Sequence, residues 1–184
     1  MADTVFAPAF QLRAAVAADA AALAELGAAT FVETFGAQNR ASDVDAHLAA
    51  HFSPALQAAE LADPRGAVLV AELDGGLAGY ARTLDGAAPA CVHAARPREL
   101  ARLYVRRSAL GAGIGPALMR RVLDDAHAAG RDVLWLGVWE HNPRARRFYE
   151  KWGFVEAGDV PYVLGDDVQR DLVLTVALPA PGPR

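Results

Sequence analysis

The sequence predicts a mixed α/β sheet rather than a regular alternation of strands and helices. Three observations carry this prediction. Helical stretches follow the first short strand; a hairpin signature, Asp74-Gly75-Gly76, joins two apolar runs; and strand and helix patterns alternate after it. The expected frame is a central sheet of six to seven strands flanked by about four helices. It forms one domain over residues 9–178, with residues 1–8 and 179–184 as flexible tails.

The elements follow in order. Phe10–Val16 reads as a short strand, and Asp19 as the N-cap of a helix with Leu23, Leu26, Thr30/Phe31 and Phe35 at helical spacing. Gly36 ends that helix, and two short ones follow at Ser42–Phe52 and Pro54–Ala62, the second opening on proline. Ala67–Leu73 and Leu77–Leu84 are the arms of the hairpin, and Asp85–Pro97 is a loop by composition. Glu99–Val105 (ELARLYV) is a strand leading through glycines to a helix at Pro116–Ala129, which carries Leu118, Val122 and Ala126 on one face and Gly130 beyond its end. Asp132–Trp139 is a strand, Pro143–Lys151 a helix closed by Gly153, and Val168–Leu178 the last strand.

Composition narrows the function classes. Hydrophobic residues make up 53% and charged residues 22% of 184, the balance of a globular chain with a real core. A net charge of −4 repels nucleic acid and anionic membrane, so neither is an expected partner. The single cysteine, Cys91, excludes an internal disulfide framework and a multi-cysteine zinc site. Met1–Pro8 lacks a basic, apolar leader pattern, and no run of 18 apolar residues occurs; a cytoplasmic location is the expectation. Arginine supplies every basic side chain but Lys151, a skew that reads as bacterial genome composition rather than chemistry.

Between the strand ending at Val105 and the next helix lies Leu110-Gly111-Ala112-Gly113-Ile114-Gly115. Glycine at every second position permits a tight turn and leaves N–H groups unshielded. At a helix N-terminus such donors form an anion site, to which Arg106 and Arg107 add charge; a plain strand–helix turn is the other reading. A Walker A loop is excluded, because Pro116-Ala117 stand where Lys-Ser/Thr is needed. A Rossmann fingerprint needs G-x-G-x-x-G and a second nucleotide-binding half. Glu140 stands where its acidic residue belongs, but only residues 141–184 follow that strand.

The segment Trp135–Phe154, WLGVWEHNPRARRFYEKWGF, decides the matter by resemblance. A glycine-rich loop, a strand and then N-x-x-A-x-x-F-Y-x-x-x-G-F resembles the GNAT acetyltransferase superfamily, here with Asn142, Ala145, Phe148, Tyr149, Gly153 and Phe154. The likeness runs from Phe10 to Leu178 and is strongest from Glu99 to Phe154. The opening TF…TFG, the ELARLYV strand and WLGVWEHN resemble the branch that includes polyamine (spermidine/spermine) acetyltransferases. One departure is Leu110, where the family has Gln or Arg; that position acts through its backbone, and Arg106 or Arg107 compensates.

The resemblance implies a GNAT fold, acetyl-CoA as cofactor and CoA as product, an acetyl group passed to a primary amine, and a homodimer as a common assembly. It places the pyrophosphate on Gly111, Ala112, Gly113, Ile114 and Gly115, with Arg106 beside it. The pantetheine arm lies along the backbone of Leu103, Tyr104 and Val105, and against Asn142 and Ala145. Asn142 also reads as a helix N-cap. Direct transfer needs a neutral amine, a stabilised oxyanion and a protonated leaving thiolate. An alkyl ammonium of pKa about 10.4 is only roughly one part in 10³ neutral at pH 7, so a base is required. By resemblance Tyr149 is the general acid on the thiolate, and Glu99 holds a water that relays the amine's proton. Glu99 also reads as a strand-edge charge paired with Arg98 or Arg102. Glu33 and Glu140 are rival bases or grips for a cationic substrate.

His47 and His51 have metal-ligand spacing but lack the HExxH glutamate and a third ligand, so lining the acceptor pocket is the expectation. Cys91 has no sign of activation. Arg96, Arg98, Arg102, Arg106 and Arg107 form a basic run that either meets the CoA phosphates or solvates a strand edge. A protein or peptide acetyltransferase and a non-catalytic acyl-CoA sensor are the alternative functions; Glu99 and Tyr149 together argue against the sensor.

Overall fold

Seven strands form one mixed sheet in the computed structural model, which describes residues 10–179. The expected tails lie outside the described residues, apart from Pro179. In chain order the elements are β1 (Phe10–Ala14), α1 (Ala20–Phe35), α2 (Ala41–His51), α3 (Pro54–Ala62), β2 (Gly66–Leu73) and β3 (Gly76–Asp85). Then come β4 (Pro97–Val105), α4 (Ile114–Ala128), β5 (Val133–Trp139), α5 (Pro143–Lys151), β6 (Val155–Leu164) and β7 (Asp167–Ala177). The strands lie in the order β1-β2-β3-β4-β5-β7-β6. Every pairing is antiparallel except β4 with β5.

Local chemistry accounts for most boundaries. The β2–β3 hairpin closes through Asp74 (φ 52°) and Gly75 (φ 79°), the left-handed pair that matches the twist of its strands. Ser53 caps α3 by accepting the Leu56 N–H at 3.2 Å, with Pro54 at the first helical position. Asp19 stands at the N-cap of α1 but does not cap it. Its carboxylate turns back to accept from Val16 N–H and from Arg13, because that cation lies on the adjacent strand. Gly36 keeps a right-handed φ of −59°, so α1 tightens into a short 3₁₀ turn instead of stopping.

The sheet has a helical layer on each face. On one, Leu118, Met119, Val122 and Ala126 of α4 pack on Leu134, Leu136 and Val138 of β5 and Leu172 and Leu174 of β7. Tyr149 and Phe148 of α5 join this cluster. Leu118 has no exposed surface, and truncating it to alanine costs about 3 kcal/mol. On the opposite face, Leu23 and Leu26 of α1 meet Val70 and Tyr80, while Phe31 meets Val44, Phe52 and Leu164. Among the described residues no helix is long and apolar enough to cross a membrane.

The feature that positions the site is a gap. β4 and β5 pair only from Pro97–Glu99 to Val133–Trp135, and beyond that the two parallel strands have no partner residues in common. Ala101 drops out of the β3–β4 register, since Arg82 faces Arg102 while Thr83 faces Leu100. A bulge of this kind bends its strand and sharpens the local twist.

Candidate active site

A cavity of about 910 Å³ occupies the gap. Its walls are the β4 segment Leu100–Val105, the β5 segment Gly137–Trp139, the glycine loop, α5 and the C-terminal part of α1. Each strand therefore presents an unpaired edge to one space, and the cavity communicates between the two faces of the sheet.

At one end Gly111 (φ 90°) and Gly113 (φ 84°) take left-handed backbone that bends the loop into α4, with Gly113 at the N-cap. No side chain caps this helix. The N–H groups of Gly111, Gly113, Ile114 and Gly115 therefore stay free to receive an anion at the positive end of the helix. Gly115 falls inside the first turn rather than in the loop. Gly111, Gly113, Ile114 and Gly115 line the cavity, as do Arg107 and Arg144. Ala112 faces a separate hollow beside Phe10 and Arg120.

Leu103, Tyr104, Val105, Asn142, Ala145 and Tyr149 also line the cavity. Asn142 Oδ1 accepts the Ala145 N–H at 3.1 Å, so the residue is the N-cap of α5, and its amide nitrogen remains for another acceptor. The Tyr149 ring is held between Phe148 and Phe154, with centroids 5.5 and 5.6 Å away. Burial, then the neighbouring Tyr104, raises its hydroxyl far above the usual phenol range, so it stays protonated.

The other end lies on the α1–α2 face and is aromatic. Phe31, Phe35, Trp139 and Tyr162 line it, with Phe31 stacked on His47 at 4.1 Å. His47 stands behind this wall rather than in the cavity. Burial, then His51 and Arg102, push its pKa down to about 4, leaving it neutral at pH 7. Asp171 on β7 also lines the cavity, and burial alone pushes its carboxyl up to about 6. The residue pairs with Trp139 across β5, and its Oδ2 lies 3.3 Å from where a Cβ on Gly137 would sit.

The other acidic residues are arranged differently. Glu33 lines the cavity, and its Oε2 accepts the Arg107 N–H at 2.9 Å, while Arg107 donates a short bond back to the Glu33 carbonyl. Glu140 lies outside and pairs with Arg170 at 3.2 Å. Glu99 is not among the lining residues. Burial raises its carboxyl pKa, against the pull of Arg82 and Arg102. Neither of its expected partners is bound to it: Arg98 grips Asp85 at 2.7 and 2.9 Å, and Arg102 grips Glu60 at 2.6 and 3.0 Å.

The basic run accordingly disperses. Arg106 donates to the Leu77 carbonyl at 3.0 Å and reaches Glu25 at 3.3 Å, away from the cavity, leaving Arg107 as its member nearest the glycine loop. Cys91 packs against Val92, Trp135 and Val173 and does not line the cavity.

Residues 28–154 match the model of the acetyltransferase (GNAT) family. The chain belongs to that family. An uncharacterised N-acetyltransferase of Mycobacterium tuberculosis is 38% identical over 160 residues, covering 85% of this chain and 96% of its own. The L-amino acid N-acyltransferase of Escherichia coli is 31% identical over 113 residues, 59% of this chain and 60% of its own. Among solved structures, YncA of Salmonella typhimurium with its cofactor acetyl-CoA superposes with a TM-score of 0.65 at 25% identity, covering 95% of this chain and 97% of that one. This GNAT protein is an acetyl-CoA-dependent N-acetyltransferase.

At the aromatic end, Asp171, Trp139 and Tyr162 line the cavity of this GNAT protein without having been expected there. The segment DVQRDLVLTV signals a strand, but only the folded β5–β7 pair reveals that Asp171, opposite Trp139, leans diagonally over Gly137. The available signal was an acid at the junction between the polar start of the strand, DVQR, and its more apolar run LVLTV.

Proposed function

We propose that the enzyme acetylates the primary amine of a small molecule by direct attack, with Tyr149 as general acid toward the departing thiolate. The observation that carries this reading is the cavity through the β4–β5 gap, which joins free loop amides on one sheet face to an aromatic, acid-bearing end on the other. Gly111, Gly113, Ile114 and Gly115 offer the pyrophosphate their N–H groups, and Arg107 and Arg144 add positive charge. The free edge of Leu103–Val105 suits the pantetheine amides as an added strand would. Asn142 and Ala145 border the same arm. The Tyr149 hydroxyl, protonated at every working pH, donates to sulfur as the C–S bond breaks.

The acceptor end combines one unpartnered carboxylate with Phe31, Phe35, Trp139 and Tyr162, which suits a monoamine with an apolar body. The E. coli L-amino acid N-acyltransferase gives amino acids a place among the candidates. A polyamine is the second reading, because Glu33 supplies the same cavity with a second carboxylate for a second ammonium group. Thiol release from acetyl-CoA against 2-phenylethylamine, L-methionine, spermidine and an N-terminal peptide separates these. Turnover with a small amine is expected. CoA binding without release, or release with the peptide alone, overturns the reading.

A further inference from the structure

We propose that Asp171 is the base that takes the proton from the acceptor ammonium. The inference rests on the amine-acceptor reading above and assigns to Asp171 the role that the resemblance implied for Glu99.

Geometry favours Asp171. Residues Gly137, Trp139 and Asp171 share the sheet face covered by α1 and α2, whereas Tyr149 belongs to the cluster on the α4–α5 face. The reacting carbonyl has to lie in the gap between them. One side of the gap then holds a proton donor for sulfur and the other a proton acceptor for nitrogen. Gly137 makes this possible: without a side chain there, the Asp171 carboxylate leans across β5 toward the cavity. Glu99 sits where β4 and β5 are still paired, beside Arg82 and Arg102, and does not border the cavity.

The surroundings leave Asp171 free to act. Tyr104 of β4 and Tyr162 of β6 lie near it; burial first, and the Asp171 charge in smaller part, raise the pKa of both phenols, so each remains a neutral hydrogen-bond donor. The ionic groups bordering the cavity are Glu33, Arg102, Arg107 and Arg144; Arg102 is held by Glu60, and Arg107 by Glu33. Burial keeps the carboxyl at about 6, still largely ionised at neutral pH and close to the working range of a base. Entry of the ammonium into the aromatic end strips its water, lowering its own pKa and narrowing the gap to Asp171.

The protons balance. Asp171 takes one proton from R–NH3⁺, and the freed nitrogen pair forms the C–N bond to the thioester carbon. Collapse of the tetrahedral adduct breaks the C–S bond. Tyr149 protonates the sulfur and regains a proton from the amide-forming nitrogen. Asp171 returns its proton to solvent, giving amide, free thiol and one released H⁺.

The test compares kcat/KM against pH for wild type, Asp171→Asn and Glu99→Gln, with 2-phenylethylamine as acceptor and CoA affinity as a control for folding. Wild type should rise through about pH 6 and then level. Asp171→Asn should fall about 100-fold at pH 7, bind CoA within twofold of wild type, and then climb tenfold per pH unit as the free amine appears. Glu99→Gln should keep the acidic limb. An Asp171→Asn profile parallel to wild type, or loss of the limb in Glu99→Gln alone, overturns the inference. If wild type turns over no amine, the amine-acceptor reading fails. In that case Asp171 has no ammonium to deprotonate and its role falls too, whereas an amine-active wild type with a parallel Asp171→Asn profile overturns the inference alone.

Discussion

The Asp171 Oδ2 lies 3.3 Å from the position a Cβ on Gly137 would occupy, so a single missing methyl sets how far this carboxylate reaches into the gap. Gly137→Ala therefore pushes the carboxylate aside while leaving the β5–β7 ladder in place. Overpacking of this order costs about 1 kcal/mol or more. Expressed in the transition state, that is a loss of roughly tenfold in kcat/KM for the amine. CoA affinity should not move, because the glycine loop lies on the other face; steady-state kinetics beside CoA titration checks both halves.

Tyr149→Phe keeps the ring between Phe148 and Phe154 and removes only the hydroxyl. The expected result is a kcat lower by about 10²-fold at saturating acetyl-CoA, with an unchanged melting temperature. Full kcat in this variant would remove Tyr149 from the acid role.

Gly113→Ala isolates the loop's backbone chemistry. An added Cβ meets nothing nearer than Phe10 at 4.0 Å, so any effect comes from its φ of 84°. Left-handed backbone costs an alanine about 1–2 kcal/mol, which the loop relieves by turning its N–H groups away from the anion site. CoA should bind about tenfold more weakly, with stability reduced by no more than that cost. Isothermal titration with CoA and a melting curve measure the two.

How much of this was legible in the sequence depends on whether neighbours along the chain or across it decide a residue's role. Gly111–Gly115 and Asn142–Phe154 were readable because loop, cap and helix are local, and Asn142 does cap α5. β6 escaped notice: Val155–Leu164 contains Gly158 and Pro161 and pairs only with β7, so as an edge strand it shows little apolar alternation. The basic run misled because Asp85, Glu60 and Glu25, remote in sequence, neutralise Arg98, Arg102 and Arg106. Asp171 was hidden for the same reason, since Gly137 is its neighbour only across the sheet.

Glu60 joins α3 to the sheet through ions rather than oil. Its carboxylate holds Arg102 at 2.6 Å and approaches Arg82 at 3.5 Å, with Arg102 also lying over the Phe52 ring at 5.2 Å. Glu60→Gln removes the carboxylate that pairs directly with two mostly buried guanidinium groups, leaving only Glu99 near them, and should cost about 3 kcal/mol. Urea unfolding should report a lower midpoint at an unchanged m-value.

Asp171 also makes a prediction that needs no substrate. Burial raises its carboxyl from 3.8 to about 6, so between those values the folded chain holds a proton that the unfolded chain releases. Stability contributed by this group thus falls as pH rises through that window, and above it the cost of a buried, unpartnered charge is present in full. Because part of the carboxyl meets the cavity's water, the cost is roughly 1–2 kcal/mol rather than the whole of the shift. Asp171→Asn removes it. The variant should melt higher than wild type at about pH 7.5 and converge with it below about pH 4, where both side chains are neutral. A gain in stability joined to a loss of turnover is the signature of a charge kept for chemistry. A variant that melts lower at neutral pH would instead mean that the carboxylate is stabilised by a partner in the fold.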